Sequence, residues 1–80
     1  MIRLYVLDAP EFRPVIDEAA RHADAVRTVG DYVELASEGT LTVERRTAGA
    51  RHAVWYSTIG ALTGGEVAQF DGDALRIERA

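Results

Sequence analysis

The residues of this chain that could carry out chemistry are few and lie far apart. His22 and His52 are separated by about thirty positions, so a metal site shared between them would need a carboxylate from elsewhere in the chain. Ser57 follows His52 by five residues, a spacing that turns two helical side chains in different directions and argues against a serine–histidine pair. The two histidines are therefore interpreted as surface imidazoles near helix ends.

A second candidate is the acidic turn formed by Asp71 and Asp73, with Gly72 between them. A calcium loop needs more oxygen ligands over a longer segment, and it typically ends in a glutamate. The same three residues are instead a strong signal for a β-hairpin. The glycines that precede them do not form a phosphate-binding loop, since they follow a predicted helix and the lysine is missing. The sequence therefore predicts neither a catalytic set nor a bound metal or cofactor.

Two neighbouring aromatic residues, Trp55 and Tyr56, are the remaining candidates. Large aromatic side chains on a helix can anchor a partner protein. Trp55 shares the helical spacing of Ile59 and Leu62, which favours a core position. Tyr56 lies outside that stripe and is the better surface anchor. This pattern favours a binding or regulatory role over catalysis.

The first elements that position these residues are a strand and a helix. Alternation over Ile2–Leu7 predicts a mostly buried strand. Asp8 can cap the helix that follows, and Glu11 can complete a capping box. Pro14 would remove a hydrogen bond from the helix interior, so the helix must bend or begin later. Its predicted buried stripe comprises Phe12, Val15, Ile16, Ala19 and Ala23, and its predicted exposed side comprises Arg13, Asp17, Glu18 and Arg21.

The stretch at residues 31–47, with the sequence DYVELASEGTLTVERRT, predicts a β-hairpin with one buried face. Val33 and Leu35 point to one side and Glu34 to the other, and a Ser-Glu-Gly connection supplies the turn. A shift of one residue in register would bury Glu34, so the register should be firm.

Further elements are predicted on both sides of this hairpin. Residues 26–29 predict the start of a strand. Apolar residues at helical spacing predict a second helix over residues 50–62, which a pair of glycines ends. The acidic turn then joins a strand to a final strand containing Leu75 and Ile77. Together these elements predict an α+β fold, a single small domain over residues 1–80 with two helices packed on an antiparallel sheet in the order β-α-β-β-α-β-β.

Composition narrows the functional classes. Of 80 residues, 48% are hydrophobic, which allows one small core near the lower limit of independent stability. Without cysteine there is no disulfide, thiolate nucleophile or cysteine zinc site. The net charge is −4 and the nine basic residues are dispersed arginines, which argues against a nucleic-acid partner. The chain has no apolar run long enough for a membrane helix and no signal-peptide pattern, so we expect a cytoplasmic protein that does not bind membranes.

Several segments resemble the regulatory, or coupling, proteins of soluble di-iron multicomponent monooxygenases of the methane, phenol and toluene types. The segment FRPVIDEA is similar to the first helix of the toluene type, including its proline, and residues 31–47 are similar to the central hairpin of the family. STIG, at residues 57–60, resembles the segment that influences substrate access in the methane type. LTGGEV, at residues 62–67, aligns better with the phenol and toluene types, so two registers remain open.

The resemblance implies a protein without cofactor or catalytic residues that binds the α subunit of a di-iron hydroxylase. Such a protein tunes the access of substrate and oxygen and the coupling of NADH use to product. We expect the second predicted helix and its exit loop to contact the partner, because small hydroxylated and apolar groups beside glycines allow close approach. The predicted contact residues are Tyr56, Ser57, Thr58, Leu62 and Thr63.

Two other functions fit the same sequence. One is a small cofactor-independent oxygenase or cyclase with a ferredoxin-like fold, in which His52 or Tyr56 would lie inside a pocket between helix and sheet. The other is a ligand-sensing α+β module that dimerises through the edge of its sheet. Turnover by the isolated chain would support the enzyme, whereas co-purification with a di-iron hydroxylase would support the regulatory protein.

Overall fold

A computed structural model describes all 80 residues and contains two antiparallel sheets and three helices. The strands are β1 (Ile2–Leu7), β2 (Ala25–Val29), β3 (Tyr32–Ser37), β4 (Leu41–Glu44), β5 (Ala61–Thr63), β6 (Gly65–Phe70) and β7 (Ala74–Arg79). The helices are α1 (Arg13–His22), α2 (Arg45–Ala48) and α3 (His52–Tyr56), and a short 3-10 turn (Pro10–Phe12) precedes α1. The predicted α+β class is confirmed.

The strands divide into two sheets. Sheet A has the order β2-β3-β1-β5, and sheet B has the order β4-β7-β6. Leu4 in β1 pairs with Leu35 in β3 on one side and with Leu62 in β5 on the other. The predicted antiparallel sheet is divided into two sheets. The strand predicted to begin at residues 26–29 is confirmed as β2, whereas β5 is a strand that was not predicted.

A single cluster of 16 buried residues forms the hydrophobic core, with members from both sheets and from α1. The predicted stripe of α1 is confirmed at Phe12, Val15, Ile16 and Ala19. Trp55 is fully buried, as its spacing predicts, and its indole N–H donates to the Asp71 carbonyl at 2.6 Å. The rest of the core consists of Ile2, Leu4, Val6, Val33, Leu35, Leu41, Val43, Ala48, Ala50, Leu75 and Ile77.

The position at which α1 begins explains why the helix tolerates its proline. The helix begins at Arg13, so Pro14 lies in the first turn, where a missing N–H costs no helical hydrogen bond. The predicted cap does not form, because Ala9 occupies the N-cap position of the 3-10 turn. The Asp8 carboxylate pairs with Arg13 at 2.6 Å. Glu18 was expected on the exposed side of the helix, yet it is only 2% exposed. Its carboxylate faces β4 and accepts a long hydrogen bond from the Glu44 backbone N–H.

The predicted hairpin between β3 and β4 is wrong, although both strands exist. β3 lies between β1 and β2, so both of its edges are already paired. The chain crosses after Ser37 to the other sheet, where β4 pairs with β7. The hairpin of this region is formed by β2 and β3, with Gly30 at the turn in the left-handed conformation (φ 59°).

The predicted second helix over residues 50–62 is also wrong in its extent. Two short helices, α2 and α3, flank Gly49, which ends α2 with a φ of 70°. Residues 61–63 form a strand because they pair with β1. The hairpin of β6 and β7 is confirmed, and the Asp71 carboxylate accepts the backbone N–H groups of Asp73 and Ala74 at its turn. None of the helices has the length and apolar character needed to cross a lipid bilayer.

Candidate functional site

The predicted contact residues lie at the end of α3, in the segment that follows it, and in β5. Tyr56 is 50% exposed on the last turn of α3, and its ring lies 5.4 Å from the ring of Phe70 and 6.2 Å from that of His52. Ser57 is exposed as well, but its hydroxyl donates to the Ala53 carbonyl at 2.8 Å. Tyr56 is therefore a supported aromatic side chain that is open to solvent on one side.

The remaining three contact residues differ in their access to solvent. Thr58 is 1% exposed and donates its hydroxyl to the Val54 carbonyl at 3.3 Å, so it lies beneath the surface. Leu62 is half-buried and packs against the core. Thr63 is exposed and pairs with Arg3 of β1. Thr58 shares the helical spacing of Trp55 and is buried with it, although it lies after the end of α3.

The two histidines lie on separate parts of the molecule. His22 Nε2 is 3.0 Å from a carboxylate oxygen of Glu18 on the same helix. The His52 ring stacks on Tyr56 at the start of α3. No cluster of three or more histidine, cysteine, aspartate or glutamate side chains has the geometry to hold a metal ion.

A polar cluster that the sequence analysis missed lies on the side of sheet A that faces away from the core. Glu34 is only 4% exposed there, because Arg27 and Tyr5 cover its carboxylate from the neighbouring strands. Arg27 donates from Nε at 2.8 Å, and the Tyr5 hydroxyl donates at 2.7 Å. Residues 27 and 34 are equidistant from the turn at residues 30 and 31, so a hairpin assigned to β2 and β3 would have paired them.

The hydrogen bonds of this cluster move each pKa away from neutrality. The Arg27 guanidinium, followed by the Tyr5 hydroxyl, holds the pKa of Glu34 below its ordinary value. The hydrogen bond to Glu34 raises the pKa of Tyr5 and the pKa of Arg27. A general acid or base works best with a pKa near the operating pH. The cluster is therefore suited to fixing side chains across three strands and poorly suited to proton transfer.

Beside this cluster an open groove of about 290 Å³ crosses the outer side of sheet A. Its lining consists of Tyr5, Val29, Tyr32, Gly60 and Ala61. A β-carbon at Gly60 would lie 2.7 Å from the Tyr32 ring and 2.9 Å from the Tyr5 carbonyl, so only glycine allows this approach. The groove is apolar and solvent-exposed, which fits the insertion of a side chain from a partner better than an enclosed reaction.

Comparison with known proteins shows a likeness in fold. No family model and no curated protein sequence matches this chain. A chain in a solved structure of a phenol hydroxylase–regulatory protein complex superposes on this chain with a TM-score of 0.79, covering 99% of this chain and 98% of that chain. The two sequences are 13% identical, so the likeness shows that they share a fold over their whole length.

Proposed function

We propose that this chain is a non-catalytic regulatory component of a multicomponent di-iron monooxygenase. It binds the hydroxylase α subunit and tunes the access of substrate and oxygen and the coupling of NADH use to product. The observation that carries the proposal is the full-length likeness, with a TM-score of 0.79, to a chain in a phenol hydroxylase–regulatory protein complex. The sequence segments that resemble the coupling proteins support the same partner independently of the fold comparison.

Regulation of this kind needs no chemistry from the chain itself. A bound protein shifts the conformation of its partner only when it binds one conformer more tightly than the other. Moving an equilibrium from 1:99 to 99:1 takes a difference in affinity of about 10⁴-fold. A rigid domain with one exposed aromatic anchor and an apolar groove can supply such a difference through contacts available in only one conformer.

The proposed contact begins at the exposed residues of the predicted set. Tyr56, Ser57 and Thr63 would touch the hydroxylase directly, while Thr58 and Leu62 would hold their backbone from below. A typical interface of roughly 800 Å² per partner would cover between a sixth and a fifth of the 4526 Å² surface of this chain. The contact must therefore extend beyond these five residues.

The decisive experiment measures product formed per NADH consumed. The di-iron hydroxylase that co-purifies with this chain from its native cells is combined with its reductase, and the purified chain is added in increasing amounts. We expect an optimum near equimolar chain and hydroxylase, because regulation requires a stoichiometric complex. A flat response would refute the proposal, and turnover by the chain without hydroxylase would establish the enzyme alternative.

A further inference from the structure

The outer face of sheet A is the side of the four strands that points away from the core. Its residues form three cross-strand rows, since directly paired residues share a side of the sheet. The rows are Ala25, Ala36, Arg3 and Thr63; then Arg27, Glu34, Tyr5 and Ala61; then Val29, Tyr32 and Leu7. Eight of these eleven residues are exposed, so the chain itself leaves this face open.

One end of the outer face is apolar. Leu7 and Val29 are each 39% exposed and Tyr32 is 38% exposed, and the three lie side by side in one row. The chain has seven exposed large hydrophobic residues, and three of them are concentrated here. The groove beside Tyr32 deepens this end, so it can receive an apolar side chain.

The other end of the outer face carries an unpaired cation. The Arg3 guanidinium is exposed and has no carboxylate within 4.0 Å, whereas Arg27 on the same face is bound to Glu34. The residues paired with Arg3 are Ala36 and Thr63, which are small and leave it accessible. Arginine recognises carboxylates with two parallel hydrogen bonds, so Arg3 is suited to an acidic group on a partner.

We propose that the outer face of sheet A is the docking surface for the hydroxylase, an inference that rests on the proposed function. The partner surface must present an apolar side chain to the end formed by Leu7, Val29 and Tyr32, and a carboxylate to Arg3. Leu7 lies four positions beyond Arg3 in β1, which places the two partner groups about 13 Å apart at ~3.3 Å per residue. Ala61 and Thr63 belong to the same face, so it is continuous with the predicted contact segment.

Charge argues against a second copy of this chain as the occupant. The only carboxylate in the three rows is Glu34, which is buried and already bound by Arg27 and Tyr5. A face-to-face dimer would therefore offer Arg3 no free carboxylate from the opposing rows. Each copy also carries a net charge of −4, which disfavours self-association.

The test compares two pairs of matched variants by calorimetric titration into the co-purified hydroxylase. Arg3→Glu and Val29→Asp alter the outer face. Arg79→Glu and Val67→Asp make the same changes at exposed positions of sheet B, where Arg79 is also without an ion pair. We expect each outer-face variant to weaken binding roughly tenfold or more, as loss of an anchor does, and the controls to bind as the wild type does.

Further measurements separate the possible failures. Arg3→Gln should give an intermediate loss, because it removes the cation without adding repulsion, and far-UV circular dichroism should show that all variants are folded. If the wild type binds and the outer-face variants bind equally well, the docking surface lies elsewhere. If no di-iron hydroxylase co-purifies with the wild type, the proposed function itself fails. Sedimentation that shows a wild-type dimer, abolished by Arg3→Glu, would assign the face to a second copy and overturn the inference.

Discussion

Glu34 shows how a charged residue can be buried on the side of a sheet that faces solvent. Its carboxylate accepts hydrogen bonds from Arg27 and Tyr5, which shield it from both neighbouring strands. A buried charge is tolerated only when it is paired and hydrogen-bonded. The cluster thus ties β1, β2 and β3 together at the centre of the outer face and leaves it nearly neutral between its apolar and cationic ends.

The lowered pKa of Glu34 predicts a specific loss of stability in acid. A carboxylate whose pKa is lower in the folded chain than its unfolded value of 4.5 stabilises the fold above that pH, and this contribution is lost as the pH falls through the folded pKa. We expect the urea midpoint of the wild type to fall more steeply between pH 6 and pH 3 than that of Glu34→Gln. Asp71, whose pKa is also lowered by the backbone N–H groups of its turn, is common to both proteins. Parallel pH profiles would contradict the assignment.

The sequence predicted apolar residues better than charged ones. Helical spacing correctly separated buried Trp55 from exposed Tyr56, because burial of an apolar stripe is a local property of a helix. It placed Glu18 and Glu34 on exposed sides, yet both are buried. The side chains that cover Glu34 come from the neighbouring strands. Side-chain alternation indicates the face of the sheet on which a carboxylate lies. Strand pairing determines which side chains cover that carboxylate.

At the scale of elements, the errors come from contacts between distant parts of the chain. The Ser-Glu-Gly turn was a sound local signal for a hairpin. β3 nevertheless pairs with β1 and β2, and β4 pairs with β7, whose residues lie 30 to 36 positions further along the chain. A local pattern identifies a strand without identifying its neighbour. The same limit explains β5, whose three residues form a strand only because β1 offers them an open edge.

Among the connections between strands, the one at Gly64 most strictly requires glycine. It joins β5 of sheet A to β6 of sheet B with a φ of 72°, and a β-carbon there would overlap the Met1 carbonyl oxygen. We expect Gly64→Ala to lower the free energy of unfolding by roughly 1–3 kcal/mol or more, the usual cost of strained backbone. The measurement is urea denaturation followed by far-UV circular dichroism.

Gly39 is the matched control for this substitution. It also lies in a connection between the two sheets, but it has no positive φ and nothing within 4 Å of an added β-carbon. Gly39→Ala should change the free energy of unfolding by less than about 1 kcal/mol, in either direction. Equal effects of the two substitutions would show that the junction at Gly64 is not strained.

At the scale of the whole molecule, the two sheets share their interior. The radius of gyration is 11.0 Å, close to the value of about 11.6 Å expected for a compact domain of this length. Ile2 of sheet A and Ile77 of sheet B both lie near Gly65, where a β-carbon would come within 3.0 Å of one and 2.8 Å of the other. Glycine at this point lets β6 pass close to the first strand of sheet A.

For the proposed binding role, such shared packing matters because one core holds the exposed surfaces in fixed positions. The outer face of sheet A and Tyr56 of α3 belong to different elements, yet both are supported by the same 16-residue cluster. The proposed partner would therefore meet two surface regions whose separation is fixed. This arrangement reduces the conformational entropy lost on binding.

Shared packing also predicts that the chain unfolds as a single unit. Ile2→Val and Ile77→Val remove one methylene group from fully buried positions, one in each sheet, and should each cost about 0.5–1.5 kcal/mol. Trp55 fluorescence reports on α3 and its contact with Phe70, whereas far-UV circular dichroism reports on both sheets. If there is one cooperative domain, each variant shifts the urea midpoints of both signals equally. An Ile2→Val variant that shifts the circular dichroism midpoint and leaves the fluorescence midpoint unchanged would show that sheet A unfolds separately.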